Sequence, residues 1–333
     1  MTDFSDQINA AIGDILYNNK VENLYAPIRY TLDAGGKRIR PLLMLTAYSL
    51  FRHDYQRIMN NALAMEVYHN FTLLHDDVMD KAQVRRGRPC VHVKWDENTA
   101  ILSGDTMLAM AYRLMTENDA YFRGCDDKMA AYEALQKAMR TFNEATIGVC
   151  EGQQFDMDFE LEEAVTVDQY MEMIRLKTSL LLSCSLKIGA QLAGAADTDA
   201  EALYEFGKNI GLAFQLQDDL LDVYGDEKVF GKKTGGDITE NKKTFMLIKT
   251  LELASDEQRA ELLGWIGRKE FNRGEKVSAV THIYNEVGIR EVCERKISDL
   301  FSAGLQALDR VHLPADRKQP LYDIADKLLH RNS

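Results

Sequence analysis

"DQYMEMIRLKTSLLLSCSLKIGAQLAGAA" occupies positions 168 to 196. Its apolar residues recur at spacings of three and four, the period of a helix. Too few polar positions remain to make a solvent-facing side, so the segment reads as a central helix, buried all round. A helix of that kind needs other helices to cover it. The stretch "YEALQKAMRTFNEATIGVCEGQQFDM" (132–157) has the same period. Only five prolines occur, and none lies between Pro89 and Pro314. Strand-like alternation with hairpin dipeptides is missing. The expected fold is therefore all-α, one domain over residues 1–333 with ten or more helices.

The chain has 333 residues, a formal net charge of -12 and a pI near 5.2. That balance argues against general nucleic-acid binding, which needs a basic footprint. It leaves room for an anionic substrate, because local cations or bound metals can reverse the sign of a site. Cys90, Cys125, Cys150, Cys184 and Cys293 are odd in number and scattered, with no CxxC. They predict a reduced, cytoplasmic protein without a disulfide framework or structural zinc. The acidic start "MTDFSDQINAAIGDIL" does not read as a signal peptide. No run of about 18 apolar residues suggests a membrane span, so no stable membrane anchor is expected.

The chemistry concentrates in "LLHDDVMDKAQVRRGRP" (73–89). Asp76 and Asp80, four apart, share one helix face, and Asp77 is expected at its rim. Like charges at that spacing destabilise a helix, and desolvation would add to the cost. An acidic helix end left in solvent would be one resolution. A hard cation such as Mg²⁺, which takes oxygen ligands, is the other. The pattern recurs in "FQLQDDLLD" (214–222), with Asp218, Asp219 and Asp222, again after an apolar helical run. Two such helices facing each other would form an acidic, metal-holding funnel.

Metal-bound carboxylates imply a phosphorylated ligand, and cations stand nearby in sequence. Arg85 and Arg86 follow the first cluster, and Lys232, Lys233, Lys242 and Lys243 follow the second. Lys37, Arg38 and Arg40 lie in "GGKRIRP" (35–41), a helix–helix break with Pro41 suited to the first turn of the second helix. Arg38, Lys233 and Lys243 read as solvated surface. "RRGRP" (85–89) is expected to end the helix carrying Asp76, and "GDEKVFGKKTGGD" (225–237) to be the most open loop.

These motifs resemble the trans-isoprenyl diphosphate synthases of the polyprenyl synthetase family. They stand in that family's order: "GGKRIRP", "HNFTLLHDDVMD", "RRGRP", "GDTML", "EGQQFD", "KTSLL", "FQLQDDLLD", "GKKTGGDI" and "NKKT". The resemblance implies a bundle of mostly antiparallel helices around a deep central cavity, and a homodimer. It implies a trans-prenyltransferase that condenses isopentenyl diphosphate head-to-tail with an allylic diphosphate (dimethylallyl, geranyl or farnesyl). Asp76, Asp80 and Asp218 would bind three Mg²⁺ ions, with Mn²⁺ as a substitute, supported by Asp77, Asp219 and Asp222. Arg85, Lys177, Lys232 and Lys242 would hold the allylic diphosphate. Lys37, Arg40, His69 and Arg86 would hold isopentenyl diphosphate. Lys177, Thr178 and Gln215 would be the catalytic positions, the Thr178 carbonyl and Gln215 amide oxygen turning toward the allylic cation. His75 reads as a histidine of the rim rather than a base.

Phe71 lies five residues before Asp76, about 7.5 Å along a helix axis. Synthases of long chains usually place a small residue there. Tyr68 would add a second barrier, and Thr72 is small where animal-type farnesyl synthases carry another aromatic. Phe-Thr before an uninserted D-D-x-x-D is similar to archaeal-type geranylgeranyl synthases. The expected product is C15 to C20, leaning to C20, with farnesyl diphosphate as the alternative. Plain core packing is the competing account of Phe71 and Tyr68. A class I terpene cyclase and a non-catalytic subunit are the competing functions. The intact "DDLLD" and "GGKRIRP" speak against the cyclase, and the full set of aspartates and cations against the silent subunit.

Overall fold

The computed structural model describes residues 2–15, 21–225 and 234–329. The fold is all-α. Helices α1 (Thr2–Ile15), α2 (Glu22–Leu32) and α3 (Ile39–Phe51) come first. A short 3-10 turn, Tyr55–Ile58, leads into α4 (Met59–Met79). A small hairpin, β1 (Val84–Arg85) and β2 (Arg88–Pro89), is followed by α5 (Val91–Lys94), α6 (Glu97–Thr116), α7 (Asp119–Phe122) and α8 (Lys128–Leu161). Next come α9 (Val167–Ile174), a π-helical turn at Arg175–Ser179, α10 (Leu180–Leu192) and α11 (Asp197–Tyr224). The remainder is α12 (Gly236–Glu240), α13 (Phe245–Leu253), α14 (Asp256–Ile266), α15 (Arg273–Val287), α16 (Ile289–Asp309) and α17 (Ala315–Leu329). No helix among the described residues is long and apolar enough to cross a membrane.

The chain forms two compact units. The first comprises Met1–Asn143 and Cys184–Glu201, the second Glu144–Ser183 and Ala202–Ser333. In the first, α4 packs along α6 and against α3. Residues 61–68 of α4 are buried without interruption, so this helix has no solvent face over two turns. At the α4–α6 contact a Cβ on Gly104 would fall 2.2 Å from His75 Nε2, so the glycine makes room for that imidazole. In the second unit Leu212, Leu216, Leu220, Phe245, Leu262, Ile283 and Ile297 belong to one apolar core. Several helices start on the caps their sequences advertise. Asp96 accepts from the Thr99 amide at α6, and Thr166 with Gln169, then Ser255 with Gln258, form capping boxes at α9 and α14.

The segment quoted first is buried over residues 179–193 save for half-buried Lys187, but its start has exposed positions at Asp168, Gln169 and Glu172, and it is not one regular α-helix. A π turn interrupts it at Arg175–Ser179, the residues that carry Lys177 and Thr178. Such bulges re-aim side chains within a helix. Opposite this turn α8 comes close, because Gly152 leaves no room for a Cβ, which would lie 2.5 Å from the Lys177 amide nitrogen.

Two local expectations need correcting. "RRGRP" does not end the helix that carries Asp76. That helix stops at Met79 with Asp80 as its C-cap, and the arginines sit on the hairpin. Arg86 and Gly87 form its turn, at φ 52° and 72°, the left-handed pair of a type I′ turn. Arg38 is not solvated surface either. It is 5% exposed, because its guanidinium meets a buried carboxylate. Most of the 225–237 loop, with Lys232 and Lys233, lies outside the described residues.

Candidate active site

In the first unit the D-D-x-x-D cluster occupies the last turn of α4. A helix C-terminus is the negative end of the macrodipole, so carboxylates there cost stability. Arg85 relieves part of that cost. Its Nε donates to Asp77 Oδ1 at 2.7 Å and its Nη2 lies 3.5 Å from Asp76 Oδ2. Asp77 is buried, 5% exposed, rather than at the rim. The Asp80 carboxyl is exposed and Asp76 half-buried. The structure thus separates a bracing aspartate, Asp77, from two that remain within reach of solvent.

One or more turns earlier lies a basic cluster. Half-buried His69 feels Arg40, Arg86, Arg85 and Arg38, and burial together with those cations holds its imidazole well below the usual range, so it is neutral near pH 7. Burial and the neighbouring Arg86 lower Arg40 to about 10 against the opposing effect of Glu66. The Arg40 Nε is buried without a hydrogen-bond acceptor. Arg86 donates through Nη1 to the Gly35 carbonyl, and Lys37 is exposed in the same break. Cations crowded this way repel one another, and an added polyanion would relieve the repulsion.

What holds the cluster is a group that sequence reasoning missed. Glu66 is 2% exposed. It accepts from Arg38 Nη1 at 2.7 Å and from Asn70 Nδ2 at 2.9 Å. Arg38 also donates to the Leu32 carbonyl at 2.6 Å and to Asn9 Oδ1 at 3.1 Å. Arg38 itself is left-handed, φ 49°. The available signal was a lone glutamate in the apolar run of α4, three residues before His69.

Phe71 and Tyr68 are 8% and 0% exposed, with ring centroids 5.4 Å apart. Tyr68 meets Phe142 of α8 edge-on at 5.7 Å, and Phe142 meets Tyr112 of α6 at 5.2 Å. Phe71 thus opens a run of tilted and edge-on ring contacts through Tyr68 and Phe142 to half-buried Tyr112. Thr72 spends its hydroxyl on the His69 carbonyl, at 2.8 Å. His75 Nε2 lies 3.1 Å from the Ile101 carbonyl oxygen and its ring touches Phe71.

In the second unit the other D-D-x-x-D cluster ends α11. Asp219 is buried, and its two oxygens accept from the Tyr170 hydroxyl and from Gln215 Nε2, the latter at 3.0 Å. Gln215 Oε1 accepts from Thr178 Oγ1 at 3.0 Å. The relay Tyr170–Asp219–Gln215–Thr178 fixes the Gln215 amide so that its oxygen points at Thr178. Tyr170 gave no signal in the sequence. Asp222 accepts from the Gly236 and Asp237 amides at 3.3 and 3.0 Å, and so caps α12. Asp218 remains half-buried at the helix end.

Two further acidic groups complete this half. Asp237 was quoted within "GKKTGGDI" but not singled out. Burial and the charges of Asp219 and Asp222 push its carboxyl up to about 7, against Lys242. Burial pushes Asp219 up to about 6. Asp156 holds Lys177 at 2.5 Å. Despite burial, Lys242 is raised above the usual lysine range by Asp237, Glu240 and Asp156. Lys177 and Lys242 therefore share Asp156 as an electrostatic neighbour. Lys243 is tied down by the Phe159 carbonyl at 2.6 Å. Lys232 lies outside the described residues.

Each half thus pairs a carboxylate-rich helix end with its own cations, the donor chemistry of a metal–diphosphate site. The chain belongs to the polyprenyl synthetase family, whose model matches residues 21–287, and it is a trans-prenyltransferase. Among curated proteins it is 37% identical to a geranylgeranyl diphosphate synthase of Methanosarcina mazei over 98% of this chain and 95% of that one. It is 36% identical to a geranylfarnesyl diphosphate synthase of Natronomonas pharaonis, over 98% and 95%. A solved geranylgeranyl pyrophosphate synthase superposes with a TM-score of 0.90 at 38% identity, covering 100% of this chain and 99% of that one. The Corynebacterium glutamicum enzyme complexed with isoprenyl diphosphate and magnesium gives 0.85 at 27%, covering 98% of each. Divalent-metal use goes with this family. The hard carboxylates at the ends of α4 and α11 fit such an ion, with water and phosphate oxygens as its other ligands.

Proposed function

We propose that this enzyme condenses isopentenyl diphosphate with allylic diphosphates to a short trans-prenyl diphosphate, geranylgeranyl diphosphate above all. The observation that carries the reading is the duplicated arrangement just described. One D-D-x-x-D helix end stands with Arg85, Arg86, Arg40 and His69, and another with Lys177 and Lys242.

In this reading Asp76, Asp80 and Asp218 hold three Mg²⁺, which Mn²⁺ can replace, while Asp77, Asp219 and Asp222 brace them. Bound there, the ions would neutralise the negative charge that collects on the departing diphosphate. Arg85, Lys177, Lys232 and Lys242 bind the allylic diphosphate and stabilise the same charge as the carbon–oxygen bond breaks. Lys37, Arg40, His69 and Arg86 bind isopentenyl diphosphate, with neutral His69 able to donate one hydrogen bond. Gln215, locked by Asp219, and Thr178 present oxygen dipoles to the allylic cation. We read the enzyme as a cytoplasmic homodimer.

Product length is read from the residues, because relatives of nearly equal identity carry names of different chain lengths. Phe71, backed by Tyr68 and Phe142, favours C20 over longer products. The test is purified protein with Mg²⁺, isopentenyl diphosphate and each C5, C10 and C15 starter, products sized by chromatography. A C20 product is expected. No condensation with any starter would refute the reaction, and a C15 end product would move the assignment to a farnesyl synthase.

A further inference from the structure

Asp237 and Lys242 stand at the two ends of α12, a five-residue helix that cannot hold its own shape. Besides the Asp222 cap at its start, it is supported by the first turn of α15. Arg273 donates to the Thr234 carbonyl at 2.7 Å. Val277 covers Gly235, where a Cβ would fall 2.7 Å from the valine methyls. Between them Lys276 is buried completely, 0% exposed. Its Nζ donates to Asn241 Oδ1 at 2.6 Å and to the Thr239 carbonyl at 3.3 Å, and lies 4.2 Å from the Phe271 ring centroid. A buried ammonium served by neutral oxygens and a ring is a costly arrangement, and burial holds it below the usual lysine range.

The benefit lies in Asn241. This residue is left-handed, φ 57°, at the C-cap of α12. Its Oδ1 is held by Lys276, and its Nδ2 donates to the Ile266 carbonyl at 3.2 Å. A side chain gripped at both ends fixes the direction in which the chain leaves the turn. The next residue is Lys242, whose amide donates to the Asp237 carbonyl at 2.9 Å and whose Nζ lies 3.8 Å from the Asp237 carboxylate.

We propose that Lys276 is a positioning residue for the allylic diphosphate: through Asn241 it sets the turn that aims Lys242 and Asp237. This rests on the assignment of Lys242 to that diphosphate. Lys276→Met keeps the stem and removes the ammonium. Asn241→Gly keeps the left-handed backbone and removes the acceptor. Each variant raises KM for the allylic diphosphate about tenfold, the scale of losing a supporting partner behind a binding group. KM for isopentenyl diphosphate stays within about twofold, and the double variant is no worse than the poorer single one. Equal changes in both KM values, or additive losses in the double variant, would overturn the proposal. If Lys276→Met does not fold, Asn241→Gly carries the test alone. Lys242→Met separates the two claims. If it raises the allylic KM while Lys276→Met does not, only the positioning role fails. If Lys242→Met leaves that KM unchanged, the Lys242 assignment fails and the positioning role with it.

Discussion

Arg38 and Glu66 meet at 2.7 Å with both side chains 3% exposed. The pair lies beneath the "GGKRIRP" break, and Glu66 is the negative charge that tempers both Arg40 and Arg86. Removing one partner of a buried pair leaves the other charge stranded. Glu66→Ala should therefore destabilise the protein by about 3–5 kcal/mol, measured by urea unfolding. Glu66→Gln, which keeps the volume, should still raise KM for isopentenyl diphosphate more than for the allylic partner. An unchanged ratio of the two KM values would count against the assignment of Arg40 and Arg86.

Asp76 and Asp218 tell a different story, because neither lies in the buried core. Their replacement by Ala should lower kcat by about 10²–10³-fold or more while the far-ultraviolet circular dichroism stays unchanged. Unfolding of either variant would make these residues structural instead.

Phe71→Ala should shift the product distribution by at least one C5 unit toward longer chains. It should also cost about 3–5 kcal/mol, the usual penalty for emptying a ring-sized space in a core. Tyr68 and Phe142 stand behind it, so Phe71→Ala with Tyr68→Ala should lengthen the product further. Chromatography of the extracted prenyl alcohols checks both.

The pH dependence of the metal-free protein follows from Asp219, pushed up to about 6, and Asp237, pushed up to about 7. Unfolded carboxyls titrate near about 4, so between those values the native state binds more protons than the unfolded one. The stability these two groups contribute is full below about pH 4 and is lost as pH rises through about 7. The Tm of metal-free protein should show that decline, and Asp237→Asn should flatten it. Added Mg²⁺ with inorganic diphosphate should raise Tm most at the alkaline end, where both carboxylates are charged.

The all-α class was legible in the sequence because a 3.6-residue apolar period over long segments has few other solutions. The two aspartate motifs were legible because repeated like charge in an apolar setting needs a compensating partner. Less visible was the division of labour inside each motif. Asp77 and Asp80 carry the same side chain three residues apart, yet one is buried against Arg85 and the other is exposed. Arg38 and Arg40 are two residues apart in one basic run. Only the left-handed turn at Arg38 sends its guanidinium inward to Glu66.

By itself the sequence determined the class of fold, the family and the inventory of charged groups, since these depend on residue type and local spacing. Tertiary structure alone decided which charges are buried against partners, as Asp77 and Asp219 are, and which stay exposed, as Asp80 does. That choice depends on burial and on partners distant in the chain, such as Tyr170 for Asp219, 49 residues away, and Lys276 for Asn241, 35 residues away. No local pattern encodes those distances, because desolvation is set by whatever packs overhead.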